Sequence, residues 1–531
     1  MKNVELIARM LEAAGVRWVF GVPSGPVLPL IEALRHSAID YVLCANETSA
    51  GFMATAVGQL TGKPGVAVST LGPGATNLAT GVGCAWLDCA PVLAITCNVP
   101  TQWLERRIQM RIDHHQLFQP LTKATLPLRV DRVAGPLAQA IALACSEVPG
   151  PVHVDLPEDV SLAQATEAPL LTQSQNTLAD ISSGAAAAVR AALPRSRRPL
   201  VVTGLSFARS RAAPQLLRFI ERQNMPFAST LHAKGFLPES HTNWVGVLER
   251  ARRSDMRGFI RQADLVLAFG YDPIEVNYEE WIGDLPVIHV GTQRADVSAQ
   301  VRMLFNEGGD MDEAITKISA LPPVPNQWLR SDWDAHRALL DKALRPVCRG
   351  LGPHHVLEIV RENLPRDGIL VYDIGAHTHQ VATQWRTDLP WTCLSTNGWS
   401  SLGYGIPAAY ATKLVYPERR VAAVVGDGCF QMTVGELAVG KRLGLAVPTI
   451  VLNDGWLGLI KVKQERKNYG YSGVFLGEPA DPPHHYFGVP CRAAKNEQQL
   501  RSAIDWGFSL KGPSVIEAFI DVEPYSQTVY D

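Results

Sequence analysis

Val424-Val425-Gly426-Asp427-Gly428-Cys429 and Val451-Leu452-Asn453-Asp454-Gly455-Trp456 decide how this chain is read. Each places an aspartate directly after an apolar run, and between them residues 436–443 carry helix formers with apolar side chains at helical spacing. The pattern predicts strand, glycine turn, helix, strand and loop, which is one parallel crossover unit. Both aspartates then fall at the carboxyl ends of neighbouring strands, where open α/β sheets bind ligands. Two hard oxygen ligands meeting there suit Mg²⁺, which takes one or two carboxylates and completes its shell with phosphate and water. Gly426 and Gly428 let backbone N–H groups approach an anion at the start of the helix.

Working outward, strand-like apolar runs alternate with helical stretches along all 531 residues, which predicts mostly parallel sheets flanked by helices in three α/β domains. The expected blocks are 1–165, 185–320 and 345–531. A stretch rich in Ala, Thr, Gln and Ser over 161–183 separates the first two, and Leu321-Pro322-Pro323-Val324-Pro325-Asn326 separates the last two. Composition is that of an ordinary globular protein, 47% apolar and 19% charged. A net charge of −2 draws it neither to nucleic acid nor to anionic lipid, and no segment is long and apolar enough to span a bilayer. The first eleven residues read as an amphipathic helix, not a signal peptide. The nine cysteines show no metal-binding spacing and are expected to be buried in a reducing compartment, so a cytoplasmic protein is expected.

The two aspartate segments resemble the signature of thiamine diphosphate (ThDP) enzymes, a GDG followed by a stretch ending in N or ND. A second set of residues near the N-terminus carries the same resemblance: Val19-Phe20-Gly21-Val22-Pro23-Ser24-Gly25, Ala45-Asn46-Glu47-Thr48-Ser49-Ala50-Gly51 and Gly72-Pro73-Gly74-Ala75-Thr76-Asn77. So do Ser395-Thr396-Asn397-Gly398-Trp399-Ser400-Ser401-Leu402-Gly403 and Asp373-Ile374-Gly375-Ala376-His377. The resemblance covers nearly the whole chain and implies the ThDP-binding fold: a pyrimidine-binding domain, a middle domain and a diphosphate-binding domain, in that order.

It also implies roles. Glu47 meets N1′ of the aminopyrimidine, and Pro23 and Asn77 lie beside it. Leu402 wedges between the two rings, and the Ser400 carbonyl accepts from the 4′-amino group. Ala376, His377, Gly428, Cys429 and Gly458 hold the diphosphate. Asp427, Asp454 and the Trp456 carbonyl ligate Mg²⁺. Gln109, His114 and His115 lie on the matching substrate-facing loop, where a histidine could move a proton near neutral pH. Because Glu47 and the aspartates lie in different domains, the resemblance implies a homodimer with two shared sites and a homotetramer built from two dimers.

Within the family the acetolactate synthase-like branch is nearest, on Phe52-Met53-Ala54 through Gly58-Gln59-Leu60-Thr61-Gly62-Lys63-Pro64-Gly65-Val66 and on Leu117-Phe118-Gln119-Pro120-Leu121-Thr122-Lys123. Gly270-Tyr271-Asp272-Pro273-Ile274-Glu275 stands where FAD-carrying members have an ARFDD-like segment, so FAD is not expected. Two departures concern the acceptor. Lys463 stands where anabolic acetolactate synthases carry a tryptophan, and their carboxylate-gripping arginine is not apparent beside Tyr271. The implied activity is decarboxylation of a pyruvate-like 2-oxo acid followed by carboligation to a second carbonyl. The alternatives are a 2-oxo acid decarboxylase releasing aldehyde, an acyloin- or diketone-cleaving lyase, a flavin oxidase and a silent paralogue.

Overall fold

Three sheets, each parallel almost throughout, organise the computed structural model, which describes residues 1–170, 178–276 and 279–529. Residues 171–177 of the first expected linker lie outside the described residues. The first sheet runs Asp40–Leu43, Trp18–Gly21, Gly65–Ser69, Val92–Asn98, Pro151–Pro157, Thr125–Pro127. The second runs Met303–Gly308, Val287–Gly291, Leu265–Phe269, Pro199–Thr203, Phe227–Ser229, Trp244–Val247. The third runs Cys393–Leu394, Ile369–Tyr372, Val421–Gly426, Pro448–Asn453, Ser514–Phe519, Val489–Ala494, His485–Tyr486, and its last pair is antiparallel. Strands such as Leu265–Phe269 are buried along their whole length. Helices cover both faces, so these strands read as continuous apolar runs with no alternation.

The Pro-rich stretch does not end the packing of the second domain. Trp328 Nε1 donates to the Pro199 carbonyl at 2.7 Å, and Trp328 and Trp333 sit in the same core as Leu200 and Val266. Helix Arg330–Ala343 therefore stays with the second sheet, and residues after it carry the chain into the third domain.

The first and third domains share one apolar core. Helix Glu47–Thr61 packs against Pro73–Leu87 of its own domain and against Gly405–Val415 of the third. Phe52 and Tyr404 meet edge to face across that junction, with ring centroids 5.7 Å apart. A helix buried on nearly every face has no polar stripe, and for that reason Glu47–Thr61 carries little amphipathic signal in the sequence. Its approach to Pro73–Leu87 depends on glycine: a Cβ on Gly81 would lie 2.5 Å from Gly51 Cα. Gly81→Ala is therefore expected to destabilise the protein by about 1–3 kcal/mol through overpacking, measured by denaturant unfolding beside a Gly512→Ala control, where a Cβ would meet nothing within 4 Å. No helix among the described residues is long and apolar enough to cross a membrane.

Candidate active site

Asp427 follows the strand Val421–Gly426 as the first residue of helix Asp427–Thr433, and Asp454 follows the adjacent parallel strand Pro448–Asn453. The crossover unit forms as its sequence predicts, with the helix starting at Asp427 itself. Gly428 and Gly455 N–H groups donate to Asp427 Oδ1 and Oδ2 at 2.8 and 2.7 Å, and Trp456 N–H donates to Asp454 Oδ1 at 2.8 Å. Gly455 takes the left-handed conformation, φ +75°, that this turn requires.

These aspartates open into a cavity of about 290 Å³. Ala376, His377, Ser400, Leu402, Gly428, Cys429, Trp456 and Gly458 line the same cavity, so ten of the residues expected to meet the cofactor or its cation are brought together. Helices Ala376–Gln384 and Gly458–Arg466 both begin at its wall, and N-terminal N–H groups and helix dipoles favour an anion there. His377 is buried, and its Nε2 has no protein partner. Burial pushes the ring down to about 4, so it stands neutral beside the cavity. Cys429 is committed to the fold, its thiol donating to the Ile374 carbonyl at 3.0 Å.

The donor set fits a hard cation and a diphosphate. Burial raises the Asp427 carboxyl to about 6. Burial, and then the charge of Asp427, raises Asp454 well above the usual carboxylate range. Two carboxylates that each oppose ionisation of the other are relieved by a cation between them. With the Trp456 carbonyl they offer oxygen ligands only, the chemistry of Mg²⁺.

Three further residues shape this site, and the sequence reading gave them no role. Asp373 is fully buried, and its two oxygens accept Gly403 and Gly405 N–H at 3.0 and 2.8 Å. It ties the loop beneath His377 to the turn that presents Leu402, in which Ser400 takes φ +52° and Gly403 φ +92°. Tyr525 closes the cavity from the C-terminal helix. Glu436 accepts Ala45 N–H at 3.0 Å and so anchors the segment before Glu47 to the third domain.

Glu47 lies in a separate first-domain setting. Strand Asp40–Leu43 delivers it to the first turn of helix Glu47–Thr61, where Asn46 caps by accepting Thr48 N–H at 2.8 Å. The Glu47 side chain is largely buried, and its Oε2 accepts Asn77 Nδ2–H at 3.0 Å. Gly74 keeps the carboxylate clear: a Cβ there would lie 3.2 Å from Glu47 Oε1. Pro23 and Asn77 are exposed. None of Pro23, Glu47, Asn77, Gln109, His114 or His115 lines the aspartate cavity within one chain.

The three candidates on the substrate-facing loop separate. Gln109 is exposed, and His115 is half-buried. His114 is buried: its Nδ1 lies 3.1 Å from Asp155 Oδ1 and 2.9 Å from Thr96 Oγ1, and Gly72 N–H approaches its Nε2 at 3.4 Å. Burial works to raise the Asp155 carboxyl, but the His114 hydrogen bond and charge, with Asn98, hold it below its ordinary value. His114 thus braces the Gly72 turn that begins the helix bearing Asn77. Removing one partner of this buried pair strands the other, so His114→Ala is expected to cost about 3–5 kcal/mol. His115→Ala should cost under about 1 kcal/mol, and parallel chemical denaturation of both variants checks the difference.

Comparison with known proteins agrees with this geometry. Residues 1–120 match the model "Thiamine pyrophosphate enzyme, N-terminal TPP binding domain", residues 186–318 the "central domain", and residues 373–518 the "C-terminal TPP binding domain". The acetolactate synthase of Bacillus subtilis is 28% identical over 547 residues, covering 98% of this chain and 93% of the relative. Acetolactate synthase isozyme 2 large subunit of Escherichia coli is 27% identical over 98% of this chain and 96% of its own length. Acetolactate synthase large subunit IlvB1 of Mycobacterium tuberculosis is 30% identical over 87% of this chain and 77% of its own. With all three domain models matched in order along the chain and relatives aligned over most of their own length, the chain belongs to the thiamine pyrophosphate enzymes, as an acetolactate synthase-like member.

Proposed function

We propose that this enzyme decarboxylates a pyruvate-like 2-oxo acid and joins the remaining fragment to a second carbonyl compound, with thiamine diphosphate held by Mg²⁺. The observation that carries the reading is the cavity in which Asp427, Asp454 and the starts of two further helices converge, together with a buried Glu47 kept apart from it. When bound, thiamine diphosphate supplies the electron sink for the charge left as CO₂ departs. The protein's own part is positional. Asp427, Asp454 and the Trp456 carbonyl would hold the cation, Leu402 would support the cofactor's rings, and Glu47 would share a proton with its pyrimidine. Gln109 and His115 are the loop residues placed to meet substrate.

Glu47 faces a surface that its own chain leaves without a diphosphate half. A second copy completes it, so the working unit is a homodimer with two shared sites, and two such dimers form a tetramer. We place the enzyme in the cytoplasm and assign it no flavin.

The test is CO₂ release from a panel of 2-oxo acids with ThDP and Mg²⁺, with mass spectrometry of the organic product. A ligated 2-hydroxy-3-oxo acid supports the proposal. Lys463 and the missing arginine beside Tyr271 favour a second reading, a decarboxylase, and free aldehyde would establish it. No release from any acid, with ThDP bound, would move the donor to an acyloin or diketone.

A further inference from the structure

Cys348, His354 and His355 lie on the segment that enters the third domain, on the wall away from the aspartate cavity. The sequence spacing gives no metal motif, yet one ligand atom from each of the three falls within 4.8 Å of the others. We propose that they form a binding site for a borderline or soft d-block cation, with Zn²⁺ as the type case. A thiolate and two imidazoles select such ions over Mg²⁺ and Ca²⁺, which require oxygen ligands.

The geometry is close to what a tetrahedral ion needs. Zn–S and Zn–N bonds of about 2.3 and 2.05 Å at a tetrahedral angle set sulfur and nitrogen about 3.6 Å apart. Cys348 Sγ and His355 Nδ1 stand 3.7 Å apart. His355 Nδ1 accepts Gly352 N–H at 3.0 Å, and a cation would have to displace that N–H to take the lone pair. Gly352 supplies the room: a Cβ there would come 2.7 Å from His354 Cε1 and 2.9 Å from Cys348 Sγ.

The surrounding backbone is fixed before any ion arrives. Arg349 N–H donates to Asp521 Oδ2 at 2.8 Å, and Asp521 N–H donates to the Leu351 carbonyl at 2.8 Å. Cys348 and His355 are half-buried and His354 is buried. Binding would release the thiol proton to solvent and staple the entry segment to helix Pro353–Asn363. The buried group His114, His153 and Asp155 is already tied into the fold by hydrogen bonds with Thr96 and Asn98.

Cobalt titration of the full-length protein, loaded with ThDP and Mg²⁺ and stripped of transition metals, tests the assignment. One equivalent of Co²⁺ should give a near-ultraviolet sulfur-to-cobalt charge-transfer band and tetrahedral visible bands, which Zn²⁺ then bleaches. Cys348→Ser should abolish the charge-transfer band, and His355→Gln should weaken binding by at least about 100-fold. Co²⁺ captured by the aspartate pair has no thiolate and gives no such band. Absence of the band at one equivalent, or its survival in C348S, overturns the proposal. Circular dichroism confirms that each variant is folded, and His354→Gln serves in place of any variant that is not.

Discussion

Glu47→Gln is expected to lower kcat by about 10²–10⁴-fold, the range for losing a positioned proton-transfer group, while ThDP affinity changes by no more than a few-fold. The substitution is nearly isosteric, and the amide oxygen can still accept from Asn77 Nδ2, now 3.0 Å from Glu47 Oε2. Asn46, not Glu47, caps the helix, so its start survives the change. What is lost is the ability to share a proton with a ring nitrogen. Binding rests on the third-domain cavity, which Glu47 does not line, so kcat and cofactor affinity should separate. Hydrogen–deuterium exchange at C2 of bound ThDP reads the step directly. Exchange and turnover within threefold of wild type would remove Glu47 from its assigned role, whereas loss of ThDP binding would show that its part is structural.

Features legible in the sequence are those whose chemistry is local. Asp427 and Asp454 announce themselves because each follows its own strand and carries its own glycine turn. Glu47 is found the same way, four residues beyond a strand and beside its cap. Asp373 lies in a recognised segment, but its work is done by N–H groups of Gly403 and Gly405, about a helix-and-strand away, and no local pattern encodes that pairing. His114 reads as a polar-loop histidine until Asp155, on a different strand, claims it. The cysteines fail for a related reason. Five of the nine are only partly buried, and Cys348 meets its histidines across a turn made by Gly350 at φ +78°, not at a familiar motif spacing. Parallel sheets were readable from the alternation of short apolar runs with helical stretches, because doubly covered strands are apolar throughout. The continuation of the second domain through Trp328 and Trp333 was not, since proline-rich chain looks like a boundary whether or not an anchor follows it.

Asp454→Asn should make the metal-free protein more stable at pH 7.5 and the enzyme inactive. In the unfolded chain Asp427 and Asp454 ionise near 3.8, but in the fold burial moves Asp427 to about 6, and burial with the Asp427 charge moves Asp454 well upward. The native state therefore binds more protons than the unfolded state, and stability falls as pH rises from about 4 through 6 and onward through the titration of Asp454. Asparagine cannot ionise, so the cost of charging Asp454, set by its burial and by the neighbouring Asp427 charge, is lifted from the metal-free protein. Wild-type protein should recover the same loss when Mg²⁺ and ThDP are added, because a cation between the carboxylates reverses the sign of their interaction. The variant keeps one carboxylate and an amide, should retain ThDP poorly, and should lose at least about 100-fold in turnover. Thermal melts at pH 5.5 and 7.5, with and without Mg²⁺ and ThDP, separate the contributions: the wild-type gain from ligand should be larger at the higher pH, and the variant should show little gain at either. A variant less stable than wild type without metal, or one that still melts higher with Mg²⁺ and ThDP, would mean that the two aspartates do not share a cation.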